Sequence, residues 1–149
     1  MTPRPMIRDE AIYIAGLFDG EGYVNVSETK RNRDSDHSIF MFCVGITNTN
    51  LAILEWLSEF GGTVHKKSKG KDYWSQAYEW RATGNIAQAF LTQIEPFCRI
   101  KRELVVQALI YRRKWGWRRT QAYDDHDLVR RRADREKVVC LVNRRNKPS

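Results

Sequence analysis

Cysteine is scarce in this chain, and the few residues present do not pair. Cys43, Cys98 and Cys140 are odd in number and share no regular spacing. That excludes a disulfide frame and points to free thiols in a reducing compartment. The histidines, His37, His65 and His126, are scattered, so no zinc-type spacing exists. No apolar run approaches the roughly 20 residues that span a bilayer, and the N-terminus shows no signal-peptide pattern. A soluble, intracellular protein without membrane or small-molecule cofactor is expected, whether in a bacterial or phage-infected cytoplasm or in an organelle.

Acidic charge is thin where basic charge is dense. The 149 residues carry 26 Lys+Arg against 18 Asp+Glu, a formal charge of +8. Residues 99–149 hold 16 basic and 6 acidic side chains, whereas residues 1–98 hold 10 and 12. Seven of those ten fall in two short clusters: Lys30, Arg31 and Arg33, then Lys66, Lys67, Lys69 and Lys71. Clustered basic charge on one domain is a footprint for polyanions, most often nucleic acid. The length suits a single domain, with a core over residues 1–117 and a linker plus basic helical extension over 118–149.

Negative charge recurs in one awkward place. The run Ile14-Ala15-Gly16-Leu17-Phe18-Asp19-Gly20-Glu21-Gly22 sets two carboxylates, each followed by glycine, where an apolar helix ends. Carbonyl oxygens and partial negative charge already gather at a helix C-terminus. Acids placed there make sense around a positive species, and a hard oxygen-seeking cation such as Mg²⁺ fits.

The pattern of periods gives the order of elements. Asp9 is a plausible cap for a first helix ending at Phe18 or Asp19. One of its faces is small: Ala11, Ala15, Gly16 and Gly20. Two explanations fit that face, close contact with a partner helix or packing inside one chain. From Tyr23 the period becomes two, with Val24 and Val26 alternating with Asn25, Ser27 and Thr29. A second strand puts Phe40, Phe42, Val44 and Ile46 on its core face. A helix then runs from Asn48–Asn50 to Phe60, and the sequence repeats strand (63–68), turn (69–72), strand (73–83) and helix (85 or 86–94). After Pro96 a longer helix spans about 98–115, and a basic one about 128–143. Two antiparallel hairpins of this kind form one four-stranded sheet with helices on one face, an α+β fold. Its open face would present Asn25, Ser27, Thr29 and Arg31 with His65 and Lys67. A twisted two-stranded ribbon fits the DNA major groove.

These residues resemble a known family. The nonapeptide 14–22 is similar to the LAGLIDADG motif: Ala15, Gly16, Leu17, Asp19 and Gly22 match it, and Ile14, Phe18, Gly20 and Glu21 are conservative variants. The α-β-β-α-β-β-α order fits over about residues 9–115. The segment Phe90–Lys101 is similar to the one that precedes the family's active-site lysine. The chain resembles a single-motif LAGLIDADG homing endonuclease, a group that works as homodimers.

That resemblance implies a Mg²⁺-dependent endodeoxyribonuclease, with Mn²⁺ or Ca²⁺ taking the place of Mg²⁺ in crystals. It would make a staggered double-strand break at a long pseudo-palindromic site in double-stranded DNA. The gene would travel as a mobile element in an intron or intein. Ala15, Gly16, Asp19 and Gly20 would lie at the dimer interface, Asp19 chiefly tying down the helix end. Glu21 would bind metal, with the Gly20 carbonyl as a further ligand. Lys101 would stabilise phosphate charge or help position water, and Asn48 would order that water, with Thr47 and Asn50 as neighbouring alternatives. Asn25, Ser27, Thr29, Arg31, Arg33, His65, Lys67, Gln76 and Arg81 would contact DNA, the last two on a strand whose parity is ambiguous. The basic C-terminal helix, with Arg130, Arg131, Arg132 and Arg135, would touch phosphates or face water. Two rivals stand beside this. Asp19 with Glu28 and Lys30 has the spacing of a PD-(D/E)xK nuclease, and a maturase or non-cutting DNA binder would share the fold.

Overall fold

A computed structural model describes residues 2–30, 38–116 and 125–146. The order is α1 (Arg8–Glu21), β1 (Gly22–Lys30), β2 (Ser38–Asn48), α2 (Leu51–Leu57), β3 (Thr63–Lys66), β4 (Tyr78–Thr83), α3 (Gly84–Ile94), α4 (Arg102–Trp115) and α5 (Asp125–Asn146). The strands form one antiparallel sheet in the order β1-β2-β4-β3. The α+β architecture expected from the alternating periods is the one observed.

Register explains the core. Val24 pairs with Val44 and Val26 with Phe42, while Val44 pairs with Ala82 and Ile46 with Trp80. All of these are buried on the helix-covered face. Helix α1 adds Ile14, Ala15 and Phe18, and α3 adds Phe90, Leu91 and Ile94. Trp80 stacks near Phe90 at 4.4 Å between centroids, and its indole N–H donates to the Gly61 carbonyl at 2.9 Å. A buried indole needs that partner.

Several boundaries differ from those the sequence predicts. Ile7, not Asp9, precedes α1, and its N–H donates to the Glu10 carboxylate at 3.0 Å, while Arg4 pairs with the same carboxylate at 2.7 Å. Helix α1 continues to Glu21. Strand β4 begins at Tyr78 rather than Tyr73, because Trp74 N–H closes a turn onto the Lys71 carbonyl at 3.0 Å. Helix α4 begins at Arg102 rather than Cys98, because the backbone just before it is engaged by Asp19.

The basic helix α5 is the largest departure. Arg131 is buried and Arg135 half-buried, whereas Arg132 is exposed but held in an ion pair. Arg131 is buried against the Phe40 ring at 4.1 Å and donates to the Tyr111 hydroxyl at 2.9 Å. Arg132 pairs with Glu28 at 2.7 Å, and Arg135 donates to the Val26 carbonyl at 2.7 Å. These arginines dock α5 on α4 and β1. Planar guanidinium groups stack on rings and bridge carbonyls in ways a lysine does not. The periodicity of the helix could not distinguish such a face from a solvated one.

Candidate functional site

The site begins where α1 runs directly into β1. Phe18 is fully buried and fixes the helix end in the core. Gly22 then passes so close that a Cβ there would come within 2.1 Å of the Phe18 ring, which is why the motif ends in glycine.

Asp19 turns away from solvent toward the segment before α4. Its carboxylate accepts N–H donors from Arg99 at 2.8 Å and Lys101 at 3.0 Å. Burial pushes its pKa up, but the N–H donors of Arg99, Lys101 and Ile100 and the Lys101 charge outweigh that, leaving it below the ordinary aspartate value. The Lys101 ammonium donates to the Phe18 carbonyl at 3.2 Å and to the Gly22 carbonyl. Part of the positive charge sought at this helix end is therefore supplied by the protein itself, as a lysine at a helix C-terminus. Cys98, beneath this turn, is pushed up to about 12 by burial and by the nearby Asp19 and Glu95.

Glu21, the last residue of α1, is exposed. Its Oε2 accepts the Asn48 side-chain amide at 2.6 Å. Asn48 in turn accepts the Asn50 N–H at 2.8 Å, and Asn50 caps α2 by accepting the Ile53 N–H at 3.2 Å. The two asparagines are thereby separated in role: Asn50 is the cap, and Asn48 holds the carboxylate. Thr47 lies on the open sheet face opposite Glu79.

The small face of α1 divides. Ala15 is fully buried against its own chain. Helical geometry turns it to the same side as Ala11 and Phe18. Gly16 and Gly20 face outward, and a Cβ at either would meet nothing within 4 Å. Exposed Ile12 and Tyr13 share that helix.

On the open face of the sheet, Asn25 and Thr29 are exposed and Ser27 half-buried. Exposed His65 sits 2.8 Å from the Thr63 hydroxyl. The parity of β4 is settled by pairing: Arg81 lies between Gly45 and Thr63, on the open face. Gln76 precedes the strand, and its amide donates to the Lys67 and Ala77 carbonyls at 2.6 and 2.8 Å, clasping the hairpin. Arg31 and Arg33 lie outside the described residues.

Two residues were missed. Tyr23 and Glu79 meet on this face, the tyrosine hydroxyl donating to the carboxylate. Arg81 pairs with Glu79 at 3.1 Å and Lys67 lies 4.0 Å from it. Burial raises the Glu79 pKa, yet the donors Tyr23 and Arg81 bring it below the usual value. The alternation that begins at Tyr23 gave no sign of its partner two strands away.

Among the described residues, no group of three or more His, Cys, Asp or Glu could hold a metal ion. The donors at the α1 end are all oxygens, the Glu21 carboxylate and backbone carbonyls. That chemistry fits a hard divalent cation. One copy, however, supplies a single exposed carboxylate there.

A family model described as a LAGLIDADG-like domain matches residues 9–95. The chain belongs to the LAGLIDADG-like family. The fold is similar to that of the homing endonuclease I-CvuI, whose structure was determined with its DNA target and Ca. That similarity has a TM-score of 0.73 at 19% identity, over 90% of this chain and 82% of that one. It is also similar to the archaeal intron-encoded homing endonuclease I-Vdi141I complexed with DNA, with a TM-score of 0.71 at 18% identity over 89% and 84% of the chains. Against I-SmaMI, bound to cleaved DNA, the TM-score is 0.62 at 19% identity, and 90% of this chain spans 46% of that one. No curated protein matches in sequence. Among the described residues, no helix is long and apolar enough to cross a membrane.

The rival nuclease triad is not assembled. Asp19 is engaged by the backbone of Arg99 and Lys101, and Glu28 by Arg132.

Proposed function

We propose that this LAGLIDADG-like protein is a site-specific DNA endonuclease that works as a homodimer and requires Mg²⁺ or a similar divalent cation. The observation that carries this reading is the placement of Glu21. It is exposed at the end of the motif helix, held by Asn48 at 2.6 Å, and adjoins an open sheet face of polar and basic side chains.

A phosphodiester resists attack because it is anionic and its leaving alkoxide is poor. Divalent cations, when bound, would supply Lewis acidity at the phosphate and a more acidic attacking water. Glu21, with carbonyl oxygen from Gly20, offers the hard donors that such ions take. Asn48 fixes the Glu21 carboxylate, which lowers the reorganisation needed when ligand and substrate arrive. Lys101 brings positive charge to the same helix end and offsets the charge of the phosphate. Because one copy has one such carboxylate, a two-strand cut calls for two copies. The outward Gly16 and Gly20 allow two α1 helices to approach, setting both Glu21 residues near the dyad. A pseudo-palindromic site follows from that symmetry, and the family resemblance implies that the two cuts are staggered.

Asn25, Ser27, Thr29, His65, Lys67 and Arg81 are the side chains we assign to DNA, together with Arg31 and Arg33, which follow β1 in sequence. Gln76 is assigned to holding the hairpin instead. The test is digestion of a duplex library with Mg²⁺ and sequencing of the ends. Paired cuts at a fixed offset across a dyad are expected. Protection of a site without any cut, with metal present, would refute the nuclease assignment.

A further inference from the structure

The open face of the sheet carries one acid at its centre, where a polyanion is to bind. Glu79 is only 9% exposed. Its Oε1 accepts the Tyr23 hydroxyl, the Arg81 Nε at 3.2 Å and the Arg81 Nη2 at 3.1 Å, while Lys67 Nζ lies 4.0 Å from Oε2. Three strands build this contact. Tyr23 on β1 is opposite Gly45 on β2, and Gly45 is opposite Arg81 on β4. The tyrosine reaches across because position 45 is glycine; a Cβ there would come within 2.5 Å of its ring.

A buried carboxylate on a DNA-facing surface works against affinity, because it repels phosphates and cancels a cation. A role that repays this is orientation. Arginine free to rotate loses conformational entropy when it docks, whereas one held by a fixed acceptor is already aimed. Glu79 engages the Nε–Nη2 edge of Arg81. The opposite edge, Nη1 with the second Nη2 hydrogen, has the fork geometry that matches guanine O6 and N7 in the major groove. Half of the Arg81 side-chain surface is exposed. Contact with phosphate would need no such aiming.

Resting on the DNA-binding reading above, we propose that Glu79, with Tyr23, is a positioning residue that holds Arg81 to read one guanine in each half-site. Arg81 makes the base contact, and Glu79 acts only through it. The base pair is close to the cut, because the row that holds Arg81 is adjacent to the one in which Thr47 pairs with Glu79, next to the α1 end.

The experiment compares wild type, Glu79→Gln and Arg81→Ala in selection from a randomised duplex library, followed by affinity for the selected duplex with 7-deazaguanine at each guanine. Wild type is expected to select a guanine at one position per half-site and to lose about tenfold in affinity when its N7 is removed. Both variants are expected to relax selection at that same position and to lose less than about threefold on the same replacement. Arg81 is exposed, so its alanine variant folds whatever Glu79→Gln does. Uniform weakening on all duplexes, with base preferences intact, would overturn the proposal, as would relaxation at different positions in the two variants. Failure of the wild type to enrich any duplex is a distinct result and would remove the DNA-binding reading itself.

Discussion

The Asp19 carboxylate accepts the backbone N–H of Lys101 at 3.0 Å, joining the motif helix to a residue 82 positions later. The same lysine returns its ammonium to the Phe18 carbonyl at 3.2 Å. Motif acid and distant lysine thus form one unit, in which the sixth motif position holds the backbone and the eighth, Glu21, is left exposed. Two acids of the same motif have been given opposite tasks by their direction around the helix end.

Loss of that carboxylate charge in Asp19→Asn is expected to cost about 1.5–3 kcal/mol, the range for hydrogen bonds to charged groups. The pH dependence has a definite sign. The folded pKa of Asp19 lies below its ordinary value. Its contribution is therefore full above the unfolded value of about 3.9 and disappears as pH falls through the folded one. Thermal melts should show a Tm gap between wild type and Asp19→Asn at neutral pH that closes in acid. A gap of constant size down to about pH 2 would contradict the assignment.

Glu21→Gln should leave duplex affinity close to wild type while removing Mg²⁺-dependent cleavage, since the sheet is untouched. Asn48→Ala should lower the cleavage rate about 10–100-fold, the usual cost of losing a residue that orients a metal ligand. Gel-shift and nicking assays on one duplex separate the two effects. A Glu21→Gln protein that cuts at the wild-type rate would end the case for this carboxylate.

Periodicity made the strands legible and the Asp-Gly-Glu-Gly run marked the region where α1 stops, though two residues early, because both signals are local. Glu21 and Asn48 could be named from sequence, but their meeting depends on β1 and β2 pairing Gly22 with Ile46. Residues 73–77 misled: Tyr73 and Trp74 have strand propensity, yet Lys71 lies against both rings at 5.6 and 5.7 Å and the segment turns. Tyr23, Glu79 and the docking arginines of α5 were hidden for another reason. Whether a charged side chain is buried is set by the partner it finds across the fold, which no single segment records.

Gly16 offers a test of association that leaves the fold intact. A Cβ at this exposed helical position meets nothing within 4 Å in its own chain. Gly16→Ala should stabilise the isolated protomer by about 0.5–1 kcal/mol, through helix propensity alone. In a dimer that brings two α1 backbones together, the added methyls overpack the contact at about 1–3 kcal/mol. Sedimentation should therefore show a shift toward monomer while the protomer Tm rises or holds. An unchanged dimer would place the interface elsewhere.

Arg131 separates a packing role from phosphate binding. Its guanidinium lies 4.1 Å from the Phe40 ring centre and donates to Tyr111 at 2.9 Å. Arg131→Ala removes a cation–π contact, a hydrogen bond and the aliphatic stem that fills the space between α5 and α4, together about 2–4 kcal/mol. At roughly 2–4 °C per kcal/mol for a domain of this size, the melting temperature should fall by about 5–15 °C. The salt dependence of DNA binding should meanwhile keep its slope, because no phosphate contact is lost. The opposite pattern, an unaltered Tm with a shallower slope, would return this arginine to the DNA-contacting set.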